Sequence, residues 1–150
     1  MNAVATVALS PDGDTVISKS HENTTGGQPL IAWSLRSGKL IAEHVARGES
    51  FAFETTLAGR NFARAIERWQ AASYHVSLIF LSLPSADLAV ERVAERVRQG
   101  GHAVPEEDIR RRFDRGREHF ETLYKPLVDA WMLYDNSGDV PVLIASGSKP

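Results

Sequence analysis

A parallel α/β sheet is the fold this sequence predicts. Three observations lead there. After residue 48, short apolar runs alternate with amphipathic ones, the pattern of strands joined by crossover helices. The run "YHVSLIFLSL" (74–83) is apolar nearly throughout, as a strand covered on both faces must be. The intervening stretches carry helix start and stop chemistry.

The elements follow in order. Before residue 45, β-like runs alternate with turn chemistry. "VATVAL" leads into "SPDGD", "TVISKS" into "HENTTGGQP", and "LIAWSL" is a third possible strand. In Pro-Asp-Gly the proline presets φ and the glycine tolerates positive φ. A helix is expected over about 35 to 46, with Leu35, Leu40, Ile41 and Val45 on its apolar side. "SFAFE" reads as a strand. "RNFARAIERWQAA" sets Phe62, Ala65, Ile66 and Trp69 on one helical face. After the apolar strand, "PSADLAVERVAERVRQGG" is a helix with Ser85 as N-cap and Gly100 as its stop. "VPEEDIRRRFDRGREHFETLYKPL" is a long helix. Pro105, Glu106, Glu107 and Asp108 suit its positive end, and Ile109, Phe113, Phe120, Leu123, Tyr124 and Leu127 form its apolar stripe. Pro126 is expected to kink or restart it. "WMLYDNSGDVPVLIASG" supplies two strands around an Asn-Ser-Gly turn.

Composition narrows the function. The chain has 150 residues, 43% of them hydrophobic and 24% charged, with a net charge of −2. That is enough for one domain with a real core. The charge balance argues against a general DNA or RNA binder, whose affinity rests on a basic excess. With no cysteine, disulfides and thiolate metal sites are excluded and a reducing compartment fits. The opening residues lack a basic region and an apolar core, so no signal peptide is read. No apolar run approaches the roughly 20 residues that span a bilayer. A cytoplasmic protein without membrane contact is expected.

Glu54 poses the first functional question. It ends an apolar strand, and ligands of parallel sheets collect outside the carboxyl ends of strands. A solvated loop carboxylate, or a local partner for a backbone amide, would explain it as well. The arginines pose the second. "RRRFDRGR" holds five of them, surrounded by Glu106, Glu107, Asp108, Asp114, Glu118 and Glu121. A solvated helix laced with i,i+4 pairs would look the same. His102 has no second histidine at metal-ligand spacing, so zinc is not expected. Tyr124 and Trp131 read as packing residues, and "YDNSG" as a hairpin turn or the adenine side of a nucleotide pocket.

Taken together, "ESFAFETTLAGR", "LIFLSLPSADLAVERVAERVRQGGHAVPEEDIRRRF" and "YDNS" resemble the zeta-toxin-like family, whose branch with this wording is known as predicted ABC-type ATPases. The resemblance runs from about residue 47 to about 147. It implies a three-layer P-loop-NTPase-like fold and an ATP- and magnesium-dependent phosphotransferase. The acceptor would be a sugar hydroxyl of a UDP-N-acetylglucosamine-type nucleotide. It places Glu54 in the acceptor cleft. Thr55 and Thr56 would contact the same ligand or cap the next helix. Arg96 and Arg112 would meet the transferred phosphate as catalytic cations, with Arg92 and Arg110 as further phosphate contacts. Such a transfer spreads charge over equatorial oxygens that fixed guanidinium groups can meet. An antitoxin or other partner chain is also implied.

The phosphate cradle that such a kinase needs, G-x-x-x-x-G-K-[ST], is absent. "RSGKL" comes closest, but Leu40 replaces the hydroxyl residue and Trp33 the first glycine. No matching catalytic aspartate precedes residue 47. Instead, "VATVALSPDGDTVISKS…LIAWSLRSGK" is similar to a single WD repeat, departing from it where Ser34 follows Trp33 and at "TTGGQP". The expectation is therefore a β-rich segment over 1–34 and a kinase-like domain over 35–150 that lacks its P-loop portion. Three readings stay open. The chain is a small kinase completed by another chain, a truncated or degenerate kinase that binds without transferring, or a non-catalytic interaction scaffold carried by the N-terminal strands.

Overall fold

The structure is a computed structural model and describes residues 4–9 and 38–149. Its elements are β1 (Val4–Leu9), α1 (Gly38–Ala46), β2 (Phe51–Glu54), α2 (Asn61–Ala71), β3 (His75–Ser82), α3 (Ala86–Arg98) and α4 (Glu106–His119). A π-helical turn (Phe120–Tyr124), β4 (Ala130–Asp135) and β5 (Val142–Ser148) complete it. The sheet order is β2-β1-β3-β4-β5. The first four strands run parallel and β5 runs antiparallel to β4.

The first strand lies in the interior of this sheet. Val4–Leu9 pairs with β2 on one side and with β3 on the other. The run V-A-T-V-A-L carries no charge, which suits an interior parallel strand. The rest of the WD-like wording, from "SPDGD" through "LIAWSL", lies outside the described residues.

The core forms where the sequence pattern places it. Ile66 and Trp69 of α2 are buried, with Phe62 and Ala65 packed beside them. Trp69 meets Phe51 and Phe53 edge-on at centroid distances of 5.2 and 5.8 Å, the geometry ring quadrupoles favour. Phe80 of β3 stacks on Phe120 at 4.5 Å, which seats the π-helical turn on the sheet. A second, smaller cluster of Leu83, Ala89, Val93 and Ile109 joins α3 to α4.

Helix ends follow their caps. The Ser85 hydroxyl accepts the Leu88 amide at 3.2 Å. Gly100 follows the end of α3 with φ of +92°, a conformation that costs glycine nothing. Pro126 neither kinks nor restarts the long helix. The helix has already widened into its π turn and ends before it, and Pro126 lies in the turn that follows. Asp129, just before β4, accepts the buried Val76 amide at 2.7 Å and the Gln70 side chain at 2.9 Å. That carboxylate locks the start of β3 to α2. On β5, Val142, Leu143 and Ile144 are exposed, and an irregularity opposite Leu133 and Tyr134 bends this edge, a feature that discourages pairing with other strands.

Candidate functional site

The strand order reverses at β1. The chain leaves β1 for β2 on one side, then crosses to β3 on the other. Crevices outside the carboxyl ends at such a switch point are where open α/β sheets bind ligands. Glu54 is the last residue of β2 and stands opposite Ala8 of β1. Its Oε1 is withdrawn from solvent. The carboxylate predicted to sit at a strand end does so, on the strand next to the one at which the order reverses.

The turn after Glu54 is held from several sides. Thr55 does not cap α2, whose N-cap position is Arg60, with no side-chain cap hydrogen bond. Its hydroxyl instead accepts the Leu57 amide two residues on, at 3.3 Å. Leu57 then takes a φ of +55°, which is rare for a branched residue. Its side chain is buried and anchors the turn. Gly116 of α4 packs against the carbonyl of Thr56, so closely that a Cβ there would stand 2.8 Å from that oxygen. His119 Nδ1 bonds the Leu57 carbonyl at 3.0 Å, and the Tyr124 hydroxyl donates to the Gly59 carbonyl at 2.7 Å. Burial pushes the Tyr124 phenol above its ordinary pKa, so the ring stays a neutral donor. None of Leu57, Gly116 or His119 carries a local sequence signal. Their roles arise from contacts across some sixty residues of chain.

The four predicted arginines divide. Arg92 donates to the Ser137 carbonyl at 3.2 Å, tying α3 to the turn after β4. In that turn Asp135 accepts the Ser137 amide at 2.8 Å, and the Ser137 donors, helped by Arg92, hold its carboxyl below the usual range. Arg96 reaches over the Gly100–Gly101 turn to the His102 carbonyl at 3.1 Å. Arg110 is held between Glu106 of its own helix and Asp87 of α3, both at 2.7 Å. Those two carboxylates raise its pKa further. Arg112 is half-buried and makes no hydrogen bond or ion pair with the described residues. It stands one helical turn before Gly116, and Gly116 and His119 mark the stripe of α4 that meets the turn after Glu54.

Residues 18–146 match the family model described as zeta toxin, which is well over half of the chain. The chain belongs to the zeta toxin family. A solved chain from the molecular and structural characterization of the PezAT chromosomal toxin–antitoxin system of the human pathogen Streptococcus pneumoniae shares the fold, with a TM-score of 0.51 at 14% identity. The match covers 71% of this chain and 44% of that one, so this zeta toxin family chain spans less than half the length of that relative. Among curated proteins, none matches. The P-loop-NTPase-like α/β architecture expected from the sequence is therefore that of the family.

Magnesium and ATP, which the family resemblance implies, can be tested against the donors present. Among the described residues no group of three His, Asp or Glu could hold a metal ion. The sequence after β1, "SPDGDTVIS", has a single glycine and no lysine, short of the two glycines and the lysine of a phosphate cradle. The described residues thus supply neither a metal-binding group nor a phosphate cradle for Mg-ATP.

Proposed function

We propose that this zeta toxin family chain is the acceptor-binding part of a phosphotransferase. It takes a sugar nucleotide of the UDP-N-acetylglucosamine type and, by itself, transfers no phosphate. The observation that carries this reading is the juxtaposition around α4. A carboxylate beside the topological switch, Glu54, leads into a clamped turn. Arg112, a guanidinium committed to no carboxylate among the described residues, lies one helical turn from that clamp. Glu54 accepts hydrogen bonds from sugar hydroxyls or the acetamido group, with Thr55 and Thr56 lining the same turn. Arg112 meets phosphate, and Arg96 joins it when released from the His102 carbonyl. Arg92 and Arg110 serve the lid helices, since their present partners already use their donors.

Transfer would require a phosphate cradle from residues outside those described or from a partner chain. An antitoxin is the kind of partner the family suggests. The sugar-nucleotide reading also places the chain in the cytoplasm, and no described helix is long and apolar enough to cross a membrane. The scaffold alternative draws less support. Its N-terminal strand Val4–Leu9 is engaged inside the sheet, which leaves that strand little to offer another protein.

Calorimetric titration tests the proposal. UDP-N-acetylglucosamine should bind, and Glu54→Ala should weaken it by about tenfold or more, as loss of charge-assisted hydrogen bonds does. Mg-ATP should produce no turnover. Silence of the wild type toward the sugar nucleotide would overturn it.

A further inference from the structure

We infer that His119 is a positioning residue for the acceptor turn, set in place by the π-helical turn that follows it. The inference rests on the acceptor reading of Glu54, and it concerns a residue that touches no ligand.

The geometry begins with a mismatch. His119 and Tyr124 are five residues apart, and in an α-helix such residues stand about 140° apart around the axis. They would face different surroundings. Here Lys125 donates to the Phe120 carbonyl at 2.9 Å, an i→i+5 bond that opens the helix by one residue per turn. The widened turn brings His119 and Tyr124 to one side, with ring centroids 6.5 Å apart and edge-to-face. From there they bond carbonyls only two residues apart, Leu57 and Gly59. Single π turns of this kind concentrate at functional sites.

The chemistry assigns the proton. A carbonyl oxygen only accepts, so His119 Nδ1 carries the hydrogen and donates it to Leu57. That bond holds Leu57 in its left-handed conformation, which is unfavourable on its own and persists only where surroundings enforce it. Glu54 lies three residues before Leu57, and Thr55 bonds the Leu57 amide. The carbonyl that His119 holds thus fixes the turn in which the Glu54 carboxylate is presented. A binding carboxylate needs placement within about half an ångström, and donors that hold the backbone behind it supply that placement.

Two substitutions separate the donor from the ring. His119→Phe keeps an aromatic ring against Tyr124 but removes the donor. His119→Asn places an N–H on the same side-chain branch as Nδ1. Hydrogen–deuterium exchange across residues 55–59 should speed up by about fivefold or more in His119→Phe and stay near wild type in His119→Asn. UDP-N-acetylglucosamine affinity should fall about tenfold in the first and be restored in the second. Equal exchange in wild type and His119→Phe, or equal acceleration in both variants, would overturn the inference. So would a turn that loosens while affinity holds, because His119 would then serve the fold alone. If the wild type binds no sugar nucleotide, the acceptor reading fails, and the exchange experiment still decides whether His119 sets the turn.

Discussion

Replacing Gly116 with alanine sets two effects of known size against each other. In an ordinary helix interior, Gly→Ala stabilises by about 1 kcal/mol, because glycine loses more backbone entropy. At position 116 the new methyl would meet the Thr56 carbonyl oxygen at 2.8 Å, whereas ordinary contact begins near 3.4 Å. The obstacle is backbone on a clamped turn, so no flexible side chain can swing away. Helix and turn would have to part by about 0.6 Å. Overpacking of this kind costs about 1–3 kcal/mol. The net expectation is a loss of about 1 kcal/mol, read as a fall of about 2–4 °C in Tm for a chain of this size. The larger effect should appear in binding. The displaced turn carries Glu54, and affinity for UDP-N-acetylglucosamine should drop by about tenfold or more. Gly138→Ala is the control, since nothing lies within 4 Å of the added carbon there. Differential scanning fluorimetry and calorimetric titration give both readouts. A Gly116→Ala protein that melts higher than wild type and binds as well would refute the argument that α4 touches the turn as closely as described.

Two further outcomes follow from the arginines and the tyrosines. Arg112→Ala should leave Tm near wild type and weaken sugar-nucleotide binding about tenfold, whereas Arg110→Ala, an exposed residue paired to Asp87 and Glu106, should leave binding unchanged; the reverse ranking in titration would dismiss Arg112 as the phosphate partner. Burial raises the pKa of both Tyr124 and Tyr74, so each binds its proton more tightly folded than unfolded. Their contribution is complete below the unfolded value of about 10 and is lost as pH rises through the folded values. Urea unfolding from pH 8 to 11 should show stability declining above about pH 10, with a shallower decline in Tyr124→Phe.

How much of this could be read from residues alone depended on the distance over which each feature is made. Ser85 caps its helix through a partner three residues away, and Gly100 ends the same helix through its own φ, so both were legible. The apolar faces of α2 and α4 were legible because a helix repeats its pattern every turn. The place of Val4–Leu9 was not. A short apolar strand looks alike whether it begins a separate blade or lies in the interior of a parallel sheet, and only pairing with residues more than forty positions away decides it. The arginines show the same divide. Glu106, four residues before Arg110, was visible as a lacing partner, but Asp87 on the other helix was not. Thr55 was expected to cap or to bind, and it does local work of a third kind by closing the turn on Leu57.

The supports of the turn after Glu54 show how the proposed acceptor site would keep its shape. Among the described residues, the contacts that hold residues 55–59 come from the turn itself and from α4 with its π turn. That helix is seated on the sheet by Phe120 against Phe80 and by the buried Tyr124. None of these contacts passes through the carboxyl end of β1, where a phosphate cradle would be built. β1 is paired on both sides, so the absence of a cradle motif after it opens no apolar edge beside β3. Glu54 itself stands beside the carboxyl end of β1, opposite Ala8, so this independence belongs to residues 55–59 and not to the strand end that carries the carboxylate.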